Sequence, residues 1–128
     1  MRVITFGTFD VLHYGHLRLL ERAASRGEHL VVGVSTDELN IEKKQHRPVF
    51  PEDERLALVA ALKVVDEVFY EESLLLKRDY IIGHCASVLV MGDDWKGKFD
   101  FLSDICTVEY VPRTPSISTT ALIEKMRR

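Results

Sequence analysis

Cysteine is scarce in this chain: Cys85 and Cys106 are the two present, far apart and with no paired spacing. Five histidines without neighbouring thiolates or carboxylates do not define a zinc site, so both cysteines are expected as buried thiols of a reducing compartment. Positive charge is also in deficit. A formal net charge of -3 and a pI near 5.9 exclude the basic stripe that binding to a polynucleotide backbone requires. Long apolar runs are missing from the start, where Met1-Arg2 leads straight into Val3-Ile4-Thr5-Phe6, too short for a signal peptide or a membrane span. The expectation is a cytoplasmic protein without nucleic-acid or membrane partners. No repeat, low-complexity tract or Pro/Gly/Ser-rich linker interrupts the 128 residues, and the four prolines punctuate loops rather than domains. One domain, 1–128, follows.

What is present is an alternation of short apolar runs and helical periodicity. Val3–Phe6 reads as a buried strand, and Leu17, Leu20, Ala23 and Ala24 share one face of a helix over about His16–Ser25, with Gly27 as its stop signal. His29–Ser35 is apolar almost throughout, as in a strand covered on both sides. The polar stretch Thr36–Pro51 reads as a mobile loop, and helical periodicity resumes over Glu52–Leu62. Glu67–Tyr70, Ser87–Met91 and Thr107–Val111 are three further strands. They are separated by helical stretches at about Ser73–His84 and Phe99–Ile105, and a last helix runs from about Ser118 to Met126. The pattern predicts an α/β, Rossmann-like, doubly wound parallel sheet of about five strands with helices on both faces. In such sheets ligands bind beyond the carboxyl ends of the strands.

The segment most informative about chemistry is Gly7-Thr8-Phe9-Asp10-Val11-Leu12-His13-Tyr14-Gly15-His16, which joins the first strand to the first helix. A helix start offers unpaired N–H groups and the positive end of the helix dipole, both favourable to phosphate. Gly7 and Gly15 carry no Cβ to obstruct a close approach. His13 and His16, three apart, lie on nearly one face, so one phosphate can meet both imidazoles, with the Thr8 hydroxyl as a further donor. The bland alternative is a pair of helix-start residues satisfied by local hydrogen bonds. The zinc-peptidase pattern does not fit, because it needs histidines at i and i+4 with a glutamate between them.

With Gly7–Asp10, His13–His16, Ser35–Glu38, Met91–Trp95, Gly97–Phe101, Arg113-Thr114 and Ile117–Thr120 in view, the chain resembles the cytidylyltransferase family. That family lies within the nucleotidyltransferase superfamily marked by an HxGH motif, and the likeness runs over essentially the whole chain. It is nearest to the branch acting on glycerol-3-phosphate. The resemblance implies transfer of CMP from CTP to a phosphorylated alcohol, sn-glycerol-3-phosphate foremost, giving CDP-glycerol and pyrophosphate. Alternatives are an adenylyl- or cytidylyltransferase with another phosphorylated acceptor, or a nucleotide-binding module without catalysis. Mg²⁺ carried by the triphosphate is the implied cofactor, with Asp94 as a possible protein ligand, and the implied assembly is a homodimer.

The resemblance also implies roles. Catalysis falls to His13, His16, Thr8, Lys43 and Arg113. Nucleotide binding falls to Gly7, Thr8, Phe9, Gly15, Gly92, Asp93, Asp94, Trp95, Arg113, Ile117, Ser118 and Thr119, and acceptor binding to Asp10, Asp37, Lys43, Lys44, Arg55 and Lys63. Read from the residues alone, Trp95 is equally a core residue, Asp93 and Asp94 are turn formers, and Arg55 and Lys63 are phosphate contacts or surface charges. Lys43 and Lys44 belong to a solvated loop or to a lid. Leu74, Leu75 and Leu76 serve either the core or a subunit contact. The chain departs from the family pattern in carrying Pro115-Ser116 in place of Glu-Gly, Lys63 in place of arginine, and adjacent rather than spaced lysines at 43 and 44.

Overall fold

A computed structural model describes residues 1–113 and 119–127. Five strands, β1 (Arg2–Gly7), β2 (His29–Ser35), β3 (Glu67–Glu71), β4 (Val88–Gly92) and β5 (Thr107–Val111), form one parallel sheet in the order β3-β2-β1-β4-β5. Val3 lies level with Leu30 on one side and Val88 on the other. The helices are α1 (Tyr14–Ala24), α2 (Asp37–Lys44), α3 (Glu52–Ala60), α4 (Lys77–Gly83) and α5 (Thr119–Met126). The order in which the chain adds strands reverses between β1 and β4, which opens a crevice at their carboxyl ends.

Strand residues alternate between two cores. On one face Val3, Val32, Val34, Val88 and Val90 pack with Leu20 and Ala23 of α1 and Val59 of α3; on the other, Ile4, Phe6, Val31, Leu89 and Met91 pack with Ile81 of α4 and Leu102. Burying a Val or Leu side chain contributes roughly 1.5–3 kcal/mol. The central strands therefore form the rigid platform, and their carboxyl ends present loops from a fixed base. Gly27 lets the chain pass beneath the amino terminus, since a Cβ there would lie 2.4 Å from the Met1 carbonyl oxygen.

The stretch expected as a loop from Thr36 to Pro51 contains α2. Its N-cap, Thr36, accepts a hydrogen bond from the Leu39 N–H, and Asp37 and Glu38 in the first turn with Lys43 and Lys44 in the last complement the helix dipole. Apolar periodicity missed it because the deepest inward residue is polar: Asn40 is 1% exposed. The helix expected over Ser73–His84 opens instead as a 3-10 turn at Leu74–Leu76, capped by Ser73, and becomes α-helical only from Lys77. The stretch Phe99–Ile105 supplies a 3-10 turn at Asp100–Leu102 and no α-helix. Leu74, Leu75 and Leu76 are all exposed, Leu75 at 93%, so none belongs to the core of this chain. Cys85 is likewise exposed, at a left-handed φ of 55° just past α4, while Cys106 is half-buried and its thiol is pushed up by burial. No helix among the described residues is long and apolar enough to cross a membrane.

Candidate active site

The HxGH segment builds a capping box out of imidazoles. His13 is the N-cap of α1, and its Nδ1 accepts from the Gly15 N–H at 3.0 Å, while Nδ1 of His16 accepts from the His13 N–H at 3.2 Å. A nitrogen that accepts a backbone N–H carries no proton, so each neutral ring holds its proton on Nε2. The two rings stack with centroids 3.8 Å apart. Burial first, then His13 beside it, outweighs the opposing pull of Asp10 and lowers His16 to about 3. Burial followed by the Arg113 guanidinium lowers His13 as well. Both rings are thus neutral near pH 7 and turn paired Nε2–H donors outward. The local hydrogen bonds of the bland reading do exist, and they consume only the Nδ1 atoms.

Those donors converge on one point, occupied by the Thr119 hydroxyl at the start of α5, 3.4 Å from His13 Nε2 and 3.5 Å from His16 Nε2. The same hydroxyl donates to the Asp10 carbonyl at 2.9 Å, leaving its lone pairs to the imidazoles. The loop beneath is strained. Phe9 and Val11 hold positive φ values of 53° and 48°, unfavourable for a β-branched residue above all. Asp10 restrains it by accepting from the Val11, Val49 and Phe50 N–H groups at 3.1, 2.7 and 2.9 Å. The Phe9 ring folds back over Gly7, where a Cβ would stand 2.8 Å from it, and meets His16 edge-on.

A cleft of about 610 Å³ opens over this point, at the β1/β4 crevice. It is lined by Gly7, Thr8, Phe9, Asp10, His13, Gly15, His16, Lys43, Lys44, Gly92, Asp94, Trp95, Arg113 and Thr119 among the residues expected from the sequence. Lys43 is held down to about 8, by burial first and then by its cationic neighbours Lys44, Lys77 and Arg55 against the pull of Glu71. Lys44 is also lowered, mainly by burial, and its Nζ lies 3.4 Å from the Thr8 hydroxyl. Arg113 stands across the mouth with its guanidinium 3.4 Å from the Asp94 carboxylate. Trp95 is 42% exposed at the rim against Phe99, not in the core.

Four expected residues are placed elsewhere. Arg55 is fully buried, neither a surface charge nor a cleft residue: it donates to the carbonyls of Phe50 (3.0 Å), Thr8 (2.8 Å) and Ser35 (2.7 Å) and to the Asp37 carboxylate (2.7 Å). Asp37 is consumed by that bond and by the Glu52 N–H. Lys63 is exposed beyond the end of α3, which runs back to the amino edge of the sheet, away from the cleft. Asp93 is exposed and off the cleft wall. Asp10 does line the cleft, but its carboxylate already serves the loop amides. Ile117 and Ser118 lie outside the described residues, as does the Pro115-Ser116 departure.

A cytidylyltransferase-like family model matches residues 4–125. The chain belongs to that family. A glycerol-3-phosphate cytidylyltransferase of Bacillus subtilis (strain 168) is 50% identical over 98% of this chain and 96% of its own length. One of Staphylococcus aureus (strain NCTC 8325 / PS 47) is 42% identical over 98% of this chain and 94% of its own. The crystal structure of a lipopolysaccharide core biosynthesis protein from Thermoplasma volcanium GSS1 shares 30% identity and a TM-score of 0.73, covering 89% of this chain and 96% of that one.

In this cytidylyltransferase-like chain, sequence reasoning missed the floor of the cleft. Glu71, at the carboxyl end of β3, and Lys77, opening α4, both line it and pair at 2.6 Å, each almost wholly buried. The Lys77 ammonium also lies 4.3 Å from the centroid of the Phe6 ring and 5.1 Å from that of Phe99. The available signal was position alone, since Glu71 follows the predicted strand Glu67–Tyr70 at the edge where ligands gather. Asn40 was missed too. Its amide donates to Ser35 and Thr36 and its carbonyl accepts from the Thr8 hydroxyl at 2.9 Å, tying α2 to the phosphate loop.

Proposed function

We propose that this protein transfers CMP from CTP to sn-glycerol-3-phosphate, releasing pyrophosphate and forming CDP-glycerol. The observation that carries the reading is the convergence of two neutral imidazole Nε2–H donors on a single point at the mouth of a cleft floored by lysines. The names of the Bacillus subtilis and Staphylococcus aureus relatives support the acceptor. In the reaction a phosphate oxygen of the acceptor attacks the α-phosphorus of CTP, one P–O bond forms, the α–β bridge breaks, and pyrophosphate leaves with the electron pair. Negative charge grows on the α-phosphate oxygens, and donors fixed beforehand favour that state over the ground state. His13 and His16 serve there through Nε2–H, while the Thr8 and Thr119 hydroxyls, which donate to Asn40 and to the Asp10 carbonyl, hold the surrounding loops in place. Arg113 offers a planar fork to the outer phosphates, and Lys43, Lys44 and Lys77 draw the acceptor phosphate inward.

The triphosphate is read as its Mg²⁺ complex. Mg²⁺ retains water and takes most of its ligands from phosphate oxygens, which fits a cleft whose described residues hold no cluster of three or more metal-ligating side chains. Asp94, on the cleft wall beside Arg113, would be its protein ligand. When bound, the ion would neutralise charge on the leaving pyrophosphate. Exposed Leu75 and its neighbours favour pairing of two copies, and the reading places the protein in the cytoplasm, where its nucleotide is found.

The test is pyrophosphate release from CTP or ATP with Mg²⁺ and a panel of phosphorylated alcohols. Release with CTP and glycerol-3-phosphate is expected. Release with ATP alone, or nucleotide binding without release for every acceptor, would overturn the proposal.

A further inference from the structure

Glu71 is an anomaly on the floor of a site built for anions. A carboxylate repels phosphate, and a buried ion pair is seldom kept for stability, because desolvation offsets most of the mutual attraction. Glu71 is 1% exposed, and its Oε2 accepts from Lys77 at 2.6 Å. Its other oxygen, Oε1, takes no hydrogen bond from any described residue. Yet no side-chain oxygen or nitrogen among the described residues is both sealed from solvent and unpaired. Oε1 is therefore reached from the cleft that Glu71 lines, and it presents free lone pairs there.

An acceptor atom in that position calls for a donor on the substrate. Lys77 cancels the charge of the carboxylate, and Lys43 adds positive field nearby, so an ammonium group is disfavoured. A neutral hydroxyl is the donor that fits. The same lysines that hold the acceptor phosphate stand beside Glu71, which puts the hydroxyl on a carbon close to the phosphate. We propose that Glu71 is a specificity-determining residue that accepts a hydrogen bond from a free hydroxyl of the acceptor, selecting polyol phosphates over simple alkyl phosphates and aminoalkyl phosphates. This rests on the proposed transfer to a phosphorylated alcohol. A site that must pair a buried polar group rejects an analogue lacking the matching group far more strongly than it rejects one lacking a methylene.

The experiment measures kcat/KM for glycerol-3-phosphate and for propyl phosphate, with CTP and Mg²⁺, in the wild-type protein, Glu71→Gln and Glu71→Asp. Trp95, the single tryptophan, lines the cleft, so its fluorescence response to CTP checks that each variant is folded. The wild-type preference for the glycerol compound is expected at about 10²-fold or more, by analogy with other hydroxyl-reading sites. It should shrink at least tenfold in Glu71→Asp, whose oxygens are withdrawn by one methylene, and less in Glu71→Gln, which keeps one acceptor. An unchanged ratio in two folded variants would overturn the role of Glu71 while leaving the transfer reaction intact. Wild-type preference for aminoethyl phosphate over glycerol-3-phosphate would overturn it as well. Absence of pyrophosphate release from the wild type with every acceptor would overturn the underlying reaction, and this inference with it.

Discussion

The two edges of the sheet each carry a pair of histidines, and they do different things. At the carboxyl edge His13 and His16 stack on one another, pinned through Nδ1 by backbone amides and kept neutral by burial. At the amino edge His29 and His84 flank one carboxylate, with ring nitrogens 3.3 and 3.2 Å from the Glu67 oxygens, and Arg2 joins them at 3.2 Å. Burial nudges Glu67 up, but hydrogen bonds from Arg2 and His29 outweigh it and hold the carboxyl below its ordinary value. There Glu67 gathers Arg2, His29 and His84 within the protein, so the amino edge staples the starts of β1, β2 and β3. At the carboxyl edge the rings are given no carboxylate, and their outward N–H groups meet the Thr119 hydroxyl at 3.4 and 3.5 Å, long contacts that a phosphate oxygen can replace. Environment, not residue type, separates a fastener from a binding site.

The largest effect expected is on turnover. His16→Ala should lower kcat by about 10²–10³, the range found when a fixed oxyanion donor is removed. Replacing Glu67 by Gln should leave kcat within about twofold by the same assay, and equal losses at both edges would erase the contrast. Next comes Arg55→Leu, which strips partners from Asp37 and from three backbone carbonyls; urea unfolding should show a loss of roughly 3–5 kcal/mol, as for other broken buried pairs.

Acid should separate the edges further. His16 is lowered to about 3 in the folded protein, so between pH 6.5 and that value the unfolded chain binds the extra proton. Stability is therefore complete above pH 6.5 and falls as pH drops, by up to roughly 1.4 kcal/mol per unit. His16→Gln should flatten that part of a thermal unfolding series run against pH. Lys43 sharpens the contrast at the alkaline end. With its ammonium titrating at about 8, kcat/KM for the acceptor should fall up to about tenfold per unit above that pH, and Lys43→Arg should carry the limb out of range. The smallest change is expected from Glu67→Gln itself. Its partners are partly exposed, and the loss in unfolding free energy should stay below about 1 kcal/mol.

The sheet was legible because β1, β2 and β4 are buried on both faces, and such strands leave unbroken apolar runs such as His29–Ser35. The HxGH turn was legible because its chemistry is local: four consecutive residues make the cap, set the tautomers and aim the donors. Helix α2 was not, because Asn40 carries its inward face and polar burial leaves no apolar period. Arg55 and Asp37 looked like phosphate and acceptor ligands since charge in a sequence says nothing about what surrounds it. Their bonds join the carboxyl ends of β1 and β2 to the starts of α2 and α3. Glu71 and Lys77 stayed hidden for a related reason. One ends a strand and the other opens a helix, so only the closed fold brings them together.

The buried Arg55 fork bears on how such proteins can be rebuilt. Because one guanidinium clasps Thr8, Ser35, Phe50 and Asp37 at once, the segment carrying Lys43 and Lys44 is registered to the phosphate loop through a side chain outside both. A lysine-bearing helix transplanted here from another scaffold would need both a carboxylate at position 37 for that fork and an amide at position 40 for Thr8. Swapping acceptor chemistry by grafting thus means moving α2 and α3 together, as one module.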